Sequence, residues 1–125
     1  MGKHTFGKSE RLHRENDIQE LFDKGSSFYL FPFKVYLKPN AVQHATTHQI
    51  LVSVSTRNFK KAVDRNLIKR RIREAYRLQK EILPQNPRLI FALVYAHKEI
   101  LPFVELKSRL ASVLKRIPKT VENPA

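Results

Sequence analysis

The 125-residue chain is predicted to be an α+β protein, a two-layer α/β sandwich with its elements in the order α-β-β-α-β-α. Three observations lead there. Apolar residues recur at helical spacing in three separate stretches, around Ile18, Ile68 and Leu110. Residues 28–38 and 49–55 are dense in aromatic and β-branched side chains, as strands are. Residues 89–96 are apolar without alternation, as a strand covered on both faces would be. The length and the 42% hydrophobic content suit one domain with a real core. Residues 15–118 are read as that domain, 1–14 as a basic, partly flexible arm and 119–125 as a C-terminal tail.

The arm carries Lys3, Lys8, Arg11 and Arg14 and has little apolar content to order it. From Asn16 the spacing turns helical. Ile18, Leu21 and Phe22 share one face, Asn16 with Gln19 supplies a start and Gly25 an end, so a first helix is expected at about 17–24. Over 33–38, Phe33, Val35 and Leu37 alternate with Lys34, Tyr36 and Lys38, the pattern of a strand with one face on the core. Pro32 cannot donate to a ladder and belongs at an edge or bulge, while Pro39, Asn40 and the polar stretch through Thr47 read as a loop. Ile50, Val52 and Val54 give the returning strand its inward face, and the two strands are expected to pair antiparallel. Asp64 is the expected cap of a long helix running to about Leu83 and stopped by Pro84. The apolar run that follows should be central in the sheet. Phe103, Leu106, Leu110, Val113, Leu114 and Ile117 then form the stripe of a last helix, opened by Pro102 and closed by Pro118.

Against 11 Asp+Glu stand 24 Lys+Arg, a formal charge of +13. Such an excess repels itself in the compact state unless a polyanion neutralises it, so the charge points to nucleic acid or an anionic membrane surface. No apolar run approaches the roughly 20 residues of a membrane span. The opening Met1-Gly2-Lys3-His4-Thr5-Phe6 has no secretory apolar stretch, and Phe6 stands where a myristoylation signal needs Ser or Thr. A cytoplasmic protein without a membrane partner is expected. The absence of cysteine excludes disulfides, thiolate zinc sites and cysteine nucleophiles. His44 and His48 stand four apart in a stretch without helix caps, and Ser53 and Ser55 lie in a strand with no nucleophile elbow. No residue is therefore assigned to catalysis or to a metal, no cofactor is expected on the protein itself, and no protein oligomer is predicted.

The charge is concentrated. From Arg57 to Lys80 there are ten Lys/Arg in 24 residues and two acids, Asp64 and Glu74. At about 100° per residue, Arg65, Asn66, Lys69, Arg70, Arg73, Arg77 and Lys80 fall within an arc of roughly 140°. Ile68, Ile72, Ala75, Ile82 and Leu83 occupy the adjoining arc, which would seat the helix on the sheet. A merely solvated face would mix signs to gain i,i+4 pairs, whereas Arg65, Lys69, Arg73 and Arg77 set like charges at every such step. The positive end of the helix dipole also disfavours Arg65 and Lys69 in the opening turns. Two local rules broken in one place mark a functional demand. Arginine suits a phosphate backbone because its planar fork binds two oxygens at once, and Asn66 can both donate and accept.

The stretch Ala62-Val63-Asp64-Arg65-Asn66-Leu67-Ile68-Lys69-Arg70-Arg71-Ile72-Arg73-Glu74 resembles the Arg-Asn-Arg signature of the bacterial ribonuclease P protein component. Lys8-Ser9-Glu10-Arg11-Leu12, the first helix, residues 33–37, Leu51-Val52-Ser53-Val54-Ser55, the apolar run and residues 103–116 resemble that family in order, so the likeness covers 8–117. It implies a fold related to the second domain of ribosomal protein S5, with a left-handed βαβ crossover that contains the basic helix. It also implies that the RNA subunit is the catalyst and uses Mg2+, while the protein binds that RNA and the 5′ leader of precursor tRNA. By position, Arg65, Asn66, Lys69, Arg70 and Arg73 match residues that meet the catalytic RNA, with Lys69 and Arg73 toward the leader. Arg77 continues the same face, and Arg57, Lys60 and Lys61 keep the preceding segment basic. Phe22 and Tyr36 match aromatic positions of a central leader-binding cleft, where Arg11 and Lys34 are also placed. Aromatic faces there would stack on single-stranded bases with little sequence preference. Two departures stand out: Ile18 replaces a cleft phenylalanine, and residues 55–61 replace a shorter, glycine-containing segment.

The alternative is a ribosomal or general RNA-binding protein without catalytic association, which would need the basic arc and not the aromatic cleft. In either case, if the helix neutralises about five or six phosphates, log affinity for RNA should fall against log salt with a slope of roughly −4 to −5. Filter binding between 50 and 300 mM salt, roughly the range over which such slopes are read, checks this; a flat dependence would remove the phosphate reading.

Overall fold

A computed structural model describes residues 11–12, 15–39, 48–84 and 88–122. Residues 1–10 and 13–14 of the expected arm, 40–47 of the expected loop, 85–87, and 123–125 of the expected tail lie outside the described residues. The chain forms α1 (Glu15–Lys24), β1 (Ser26–Leu30), β2 (Phe33–Pro39), β3 (Gln49–Val54), α2 (Ala62–Gln79, extended by a 3-10 turn at Lys80–Ile82), β4 (Leu89–Tyr95) and α3 (Phe103–Glu122). The α+β class holds, with a four-stranded sheet in the order β1-β2-β4-β3.

β4 sorts the molecule into layers. Leu89, Phe91, Leu93 and Tyr95 face α2 and α3 and join the main core with Phe33, Val35, Leu37, Val52, Ile68, Ile72, Leu110 and Leu114. Ile90 and Ala92 face the other way, against Leu21, Leu12, Ile18, Tyr36 and Leu51. The sheet and the α2–α3 layer make the expected sandwich, and α1 covers part of the opposite face. Because β4 is buried on both sides it takes the central position anticipated for it.

Its insertion overturns the expected pairing of the two earlier strands. β2 and β3 do not touch as a ladder; β4 lies between them, antiparallel to β2 (Val35 opposite Leu93) and parallel to β3 (Val52 opposite Leu93). The single strand expected at 28–38 is also two, so the order is α-β-β-β-α-β-α. Phe31 and Pro32 form the turn between them, and β1 pairs back on β2 with Phe28 opposite Val35. Pro32 has no N–H for a ladder, and its carbonyl instead accepts from Ala96 N at 2.8 Å.

Three helix boundaries differ from expectation. α1 begins at Glu15, so Asn16 lies inside its first turn, where Glu15 and Asp17 complement the helix dipole. α2 begins after Lys61, whose carbonyl accepts from Asp64 N and Arg65 N; Asp64 sits in the first turn and supplies no side-chain cap. Pro118 lies within α3, which continues to Glu122. The fully buried Val113, Leu114 and Ile117 anchor the backbone there strongly enough to carry the helix past a missing N–H.

Two local devices fix the elements that position the site. His48, buried at the entry to β3, uses both ring nitrogens: Nδ1 accepts from Leu89 N at 3.0 Å, and Nε2 donates to the Pro84 carbonyl at 2.8 Å. Gly25 closes α1 by donating to the Leu21 carbonyl at 2.9 Å. Its φ is not positive; glycine is required because a Cβ would stand 2.4 Å from the Leu21 carbonyl oxygen and 3.0 Å from that of Leu37. Both obstacles are backbone. Gly25→Ala is therefore expected to destabilise the fold by about 1–3 kcal/mol, as overpacking does, seen as a lower urea midpoint at unchanged slope. An unchanged midpoint would show that α1 is not seated this tightly on β2.

Candidate nucleic-acid interface

α2 presents the expected division of faces. Ile68, Ile72, Ala75 and Tyr76 are buried, and Tyr76 packs edge-on to Phe91 with centroids 6.0 Å apart, so it belongs to the core and not to the basic arc. Asn66 and Arg70 are exposed, while Arg65, Lys69, Arg73 and Arg77 are half-buried. Arg57, Lys60 and Lys61 are exposed on the segment leading into the helix. That segment, whose sequence departs from the family pattern, is turned by the bond from Phe59 N to the Ser55 carbonyl and one from Arg57 N to Ser55 Oγ.

The arginines are not equivalent. Arg65 Nη1 donates to the carbonyls of Phe59 and Lys60 at 2.7 and 2.9 Å, locking the turn onto the start of α2. Arg71 Nη1 donates to the Leu101 carbonyl at 2.8 Å, tying α2 to the entry of α3. Arg77 is forked onto Glu74, with Nη2 to Oε2 at 3.0 Å. That fork holds the Glu74 carboxyl below its ordinary pKa and raises that of Arg77. Arg73 is shifted down, by partial burial first and by the nearby Arg11 guanidinium second. Two guanidinium groups brought together in this way favour an anion that can neutralise both.

Arg11 reaches this position through the sheet. Leu12 N donates to the Ile50 carbonyl at 2.9 Å, and Arg11 bridges Ile50 in parallel, alongside the edge strand β3. Leu12 turns into the α1 side of the sheet, and Arg11 lines a groove with Asn66, Leu67, Arg70, Arg71, Arg73, Glu74, Arg77 and Phe103, of about 830 Å3. The structure thus places Arg11 with the basic helix and not in the aromatic cleft assigned to it from sequence. A one-residue alternation in a short strand, not visible before the Ile50 bridge is known, decides the side. Leu67, Arg71, Glu74 and Phe103 were likewise missed, because their meeting depends on where α3 starts relative to α2.

The other expected residues gather on the opposite face. Phe22 packs edge-on to Tyr36 at 4.6 Å between centroids, and Lys34 Nζ stands 5.7 Å from the Tyr36 ring. Phe22 remains 38% exposed while its neighbour Leu21 is fully buried, so Leu21 provides the packing and Phe22 stays accessible. Tyr29, 52% exposed and opposite Lys34 in the β1–β2 ladder, adds a third aromatic ring that sequence reasoning passed over. Its alternation with buried Phe28 was the available signal. Ile18 is half-buried and packs against the smaller core of Leu12, Leu21, Ile90 and Ala92. Glu20 pairs with Lys38 at 2.9 Å beside it, which holds the Glu20 carboxyl below its ordinary pKa. Among the described residues no three His, Asp or Glu side chains come together to hold a metal, and no helix is long and apolar enough to cross a membrane.

Comparison with known proteins gives the family. A family model described as Ribonuclease P matches residues 6–118. The ribonuclease P protein component of Porphyromonas gingivalis (strain ATCC 33277) is 39% identical over 94 residues, covering 72% of this chain and 69% of that protein. That of Listeria monocytogenes serotype 4a is 37% identical over 110 residues, covering 86% and 87%. Among solved structures, the RNase P protein of Staphylococcus aureus superposes with a TM-score of 0.71 at 25% identity, covering 90% of this chain and 97% of that one. The Thermotoga maritima RNase P protein gives 0.72 at 26%, covering 86% and 96%. With a family match that spans almost the whole described domain, this chain belongs to the ribonuclease P protein family.

Proposed function

We propose that this chain acts as the protein subunit of a ribonuclease P ribonucleoprotein, holding the catalytic RNA against α2 and the 5′ leader of precursor tRNA against the Phe22–Tyr36 face. The observation that carries this reading is the separation of two unlike surfaces by one sheet. Arginines and Asn66 cluster on the α2 side, whereas accessible aromatic rings with Lys34 cluster on the α1 side. Family membership supplies the kind of RNA.

The protein's part is electrostatic and positional. Cations on α2 neutralise phosphates of the folded RNA, replacing counterions that the RNA alone would have to concentrate. The aromatic face holds unpaired leader bases by stacking, which tolerates any sequence. Mg2+ is expected for the ribonucleoprotein, where RNA phosphate oxygens can hold it. The chemistry of hydrolysis is assigned to the RNA, and a cytoplasmic location follows from that partner.

Precursor-tRNA cleavage by bacterial ribonuclease P RNA should rise at low magnesium when the protein is added. Absence of stimulation, together with equal affinity for random duplex DNA, would favour a general nucleic-acid-binding protein instead. Within the complex the two surfaces should separate. Arg70→Ala is expected to weaken assembly with the catalytic RNA and to reduce the salt slope by about one. Tyr36→Ala should leave assembly intact and cut the preference for precursor over mature tRNA by about tenfold, one stacked base. Arg70 is the cleaner probe than Arg65, whose loss would also release the turn at Phe59 and Lys60. Equal losses of both kinds from both substitutions would mean that the surfaces do not divide the work.

A further inference from the structure

The groove over α2 is not lined as a phosphate track would be. Arg11, held beside β3 at Ile50, and Arg73 come close together in it, with Asn66, Arg70 and Arg77. Leu67, Arg71, Glu74 and the half-buried Phe103 line the same groove. Phe103 packs against the main core and still reaches the groove, so an apolar pair and a carboxylate stand among the cations where a plain phosphate track would carry cations alone. They match the needs of a nucleobase: a flat apolar ring to lie on, a planar guanidinium beside it, and an acceptor for an amino or imino N–H at its edge. The polar groups there are held in place before any ligand arrives. Arg71 is fixed on the Leu101 carbonyl at 2.8 Å, and Glu74 is forked to Arg77. A volume of about 830 Å3 accommodates a nucleotide and not a helix.

We infer that this groove takes one unstacked nucleobase of the bound RNA, seated on Phe103 and Leu67 with its edge toward Glu74, while the flanking phosphates lie toward Arg70, Arg73 and Arg11. The inference rests on the proposed RNA-binding role of α2 and goes beyond it by assigning base recognition to a surface otherwise read as electrostatic. Phe103, at the first position of α3, becomes a binding residue.

The test uses the full chain and a bacterial ribonuclease P RNA, with affinity measured across a salt series. Phe103→Leu should weaken binding about tenfold, one base stack, with the salt slope unchanged. Phe103→Tyr should restore it, whereas Arg70→Ala should lower the slope by about one. Wild-type affinity for Phe103→Leu, or a slope that falls as it does for Arg70→Ala, would overturn the base-binding assignment. A second measurement needs no variant: on adding adenosine or uridine 5′-monophosphate, the Phe103 ring protons should shift, and inorganic phosphate at the same concentration should not move them. Identical shifts with phosphate would overturn the assignment. If the wild-type chain itself shows no salt-dependent binding to this RNA, the parent reading of α2 fails and the groove assignment fails with it. Tight wild-type binding with an indifferent Phe103 sinks the groove assignment alone.

Discussion

Burial of β4 on both faces is the constraint from which the rest of the architecture follows. A strand that hides Leu89, Phe91, Leu93 and Tyr95 on one side and Ile90 and Ala92 on the other has to stand inside the sheet and be covered twice. Coverage on the first side demands α2 and α3, with α2 arriving through the parallel β3–α2–β4 connection. Coverage on the second demands α1. The polar consequence is that the outward face of α2 and the aromatic patch beside α1 lie on opposite sides of one sheet and do not share a surface.

Concentrating cations on one helix works against folding, and the structure shows how much of that opposition is absorbed internally. Arg65, Arg71 and Arg77 each satisfy a fixed acceptor: the carbonyls of Phe59 and Lys60, the carbonyl of Leu101, and the carboxylate of Glu74. These bonds spread the positive charge toward the turn, α3 and the helix itself. Arg73 and Arg11 both line the groove and stand close enough for Arg11 to lower the Arg73 pKa, a repulsion that an anion bound there would offset.

Much of this was legible before any coordinates. α2 declared itself through the 3.6-residue recurrence of Ile68, Ile72 and Ala75, and β4 through an apolar run too short for a helix. Both signals are local and strong. Phe22 and Tyr36 were identified from their matched positions, and their contact needed only α1 to lie on β2. What escaped was governed by long-range geometry. β1 was merged with β2 because residues 28–33 form one aromatic stretch that only Pro32 interrupts. The β2–β3 pairing failed because adjacency in sequence is a weak guide when a more apolar strand can insert between. Arg11 was assigned to the wrong face because one residue of strand register reverses a side chain. The clamp made by Arg65 was hidden because a guanidinium that binds a carbonyl and one that awaits a phosphate are the same letter in the sequence.

His48 has a consequence in chain topology. Its ring joins the start of β3 to positions 36 and 41 residues further on, at the exit of α2 and the entry of β4. The entropy spent in closing a loop grows only with the logarithm of its length, so the buried imidazole and the β3–β4 ladder together close this long segment at little more cost than a short one. α2 and all its arginines sit inside that loop. His48 fastens the end of that loop at which β3 and β4 both begin, with Nδ1 accepting from Leu89 N and Nε2 donating to the Pro84 carbonyl.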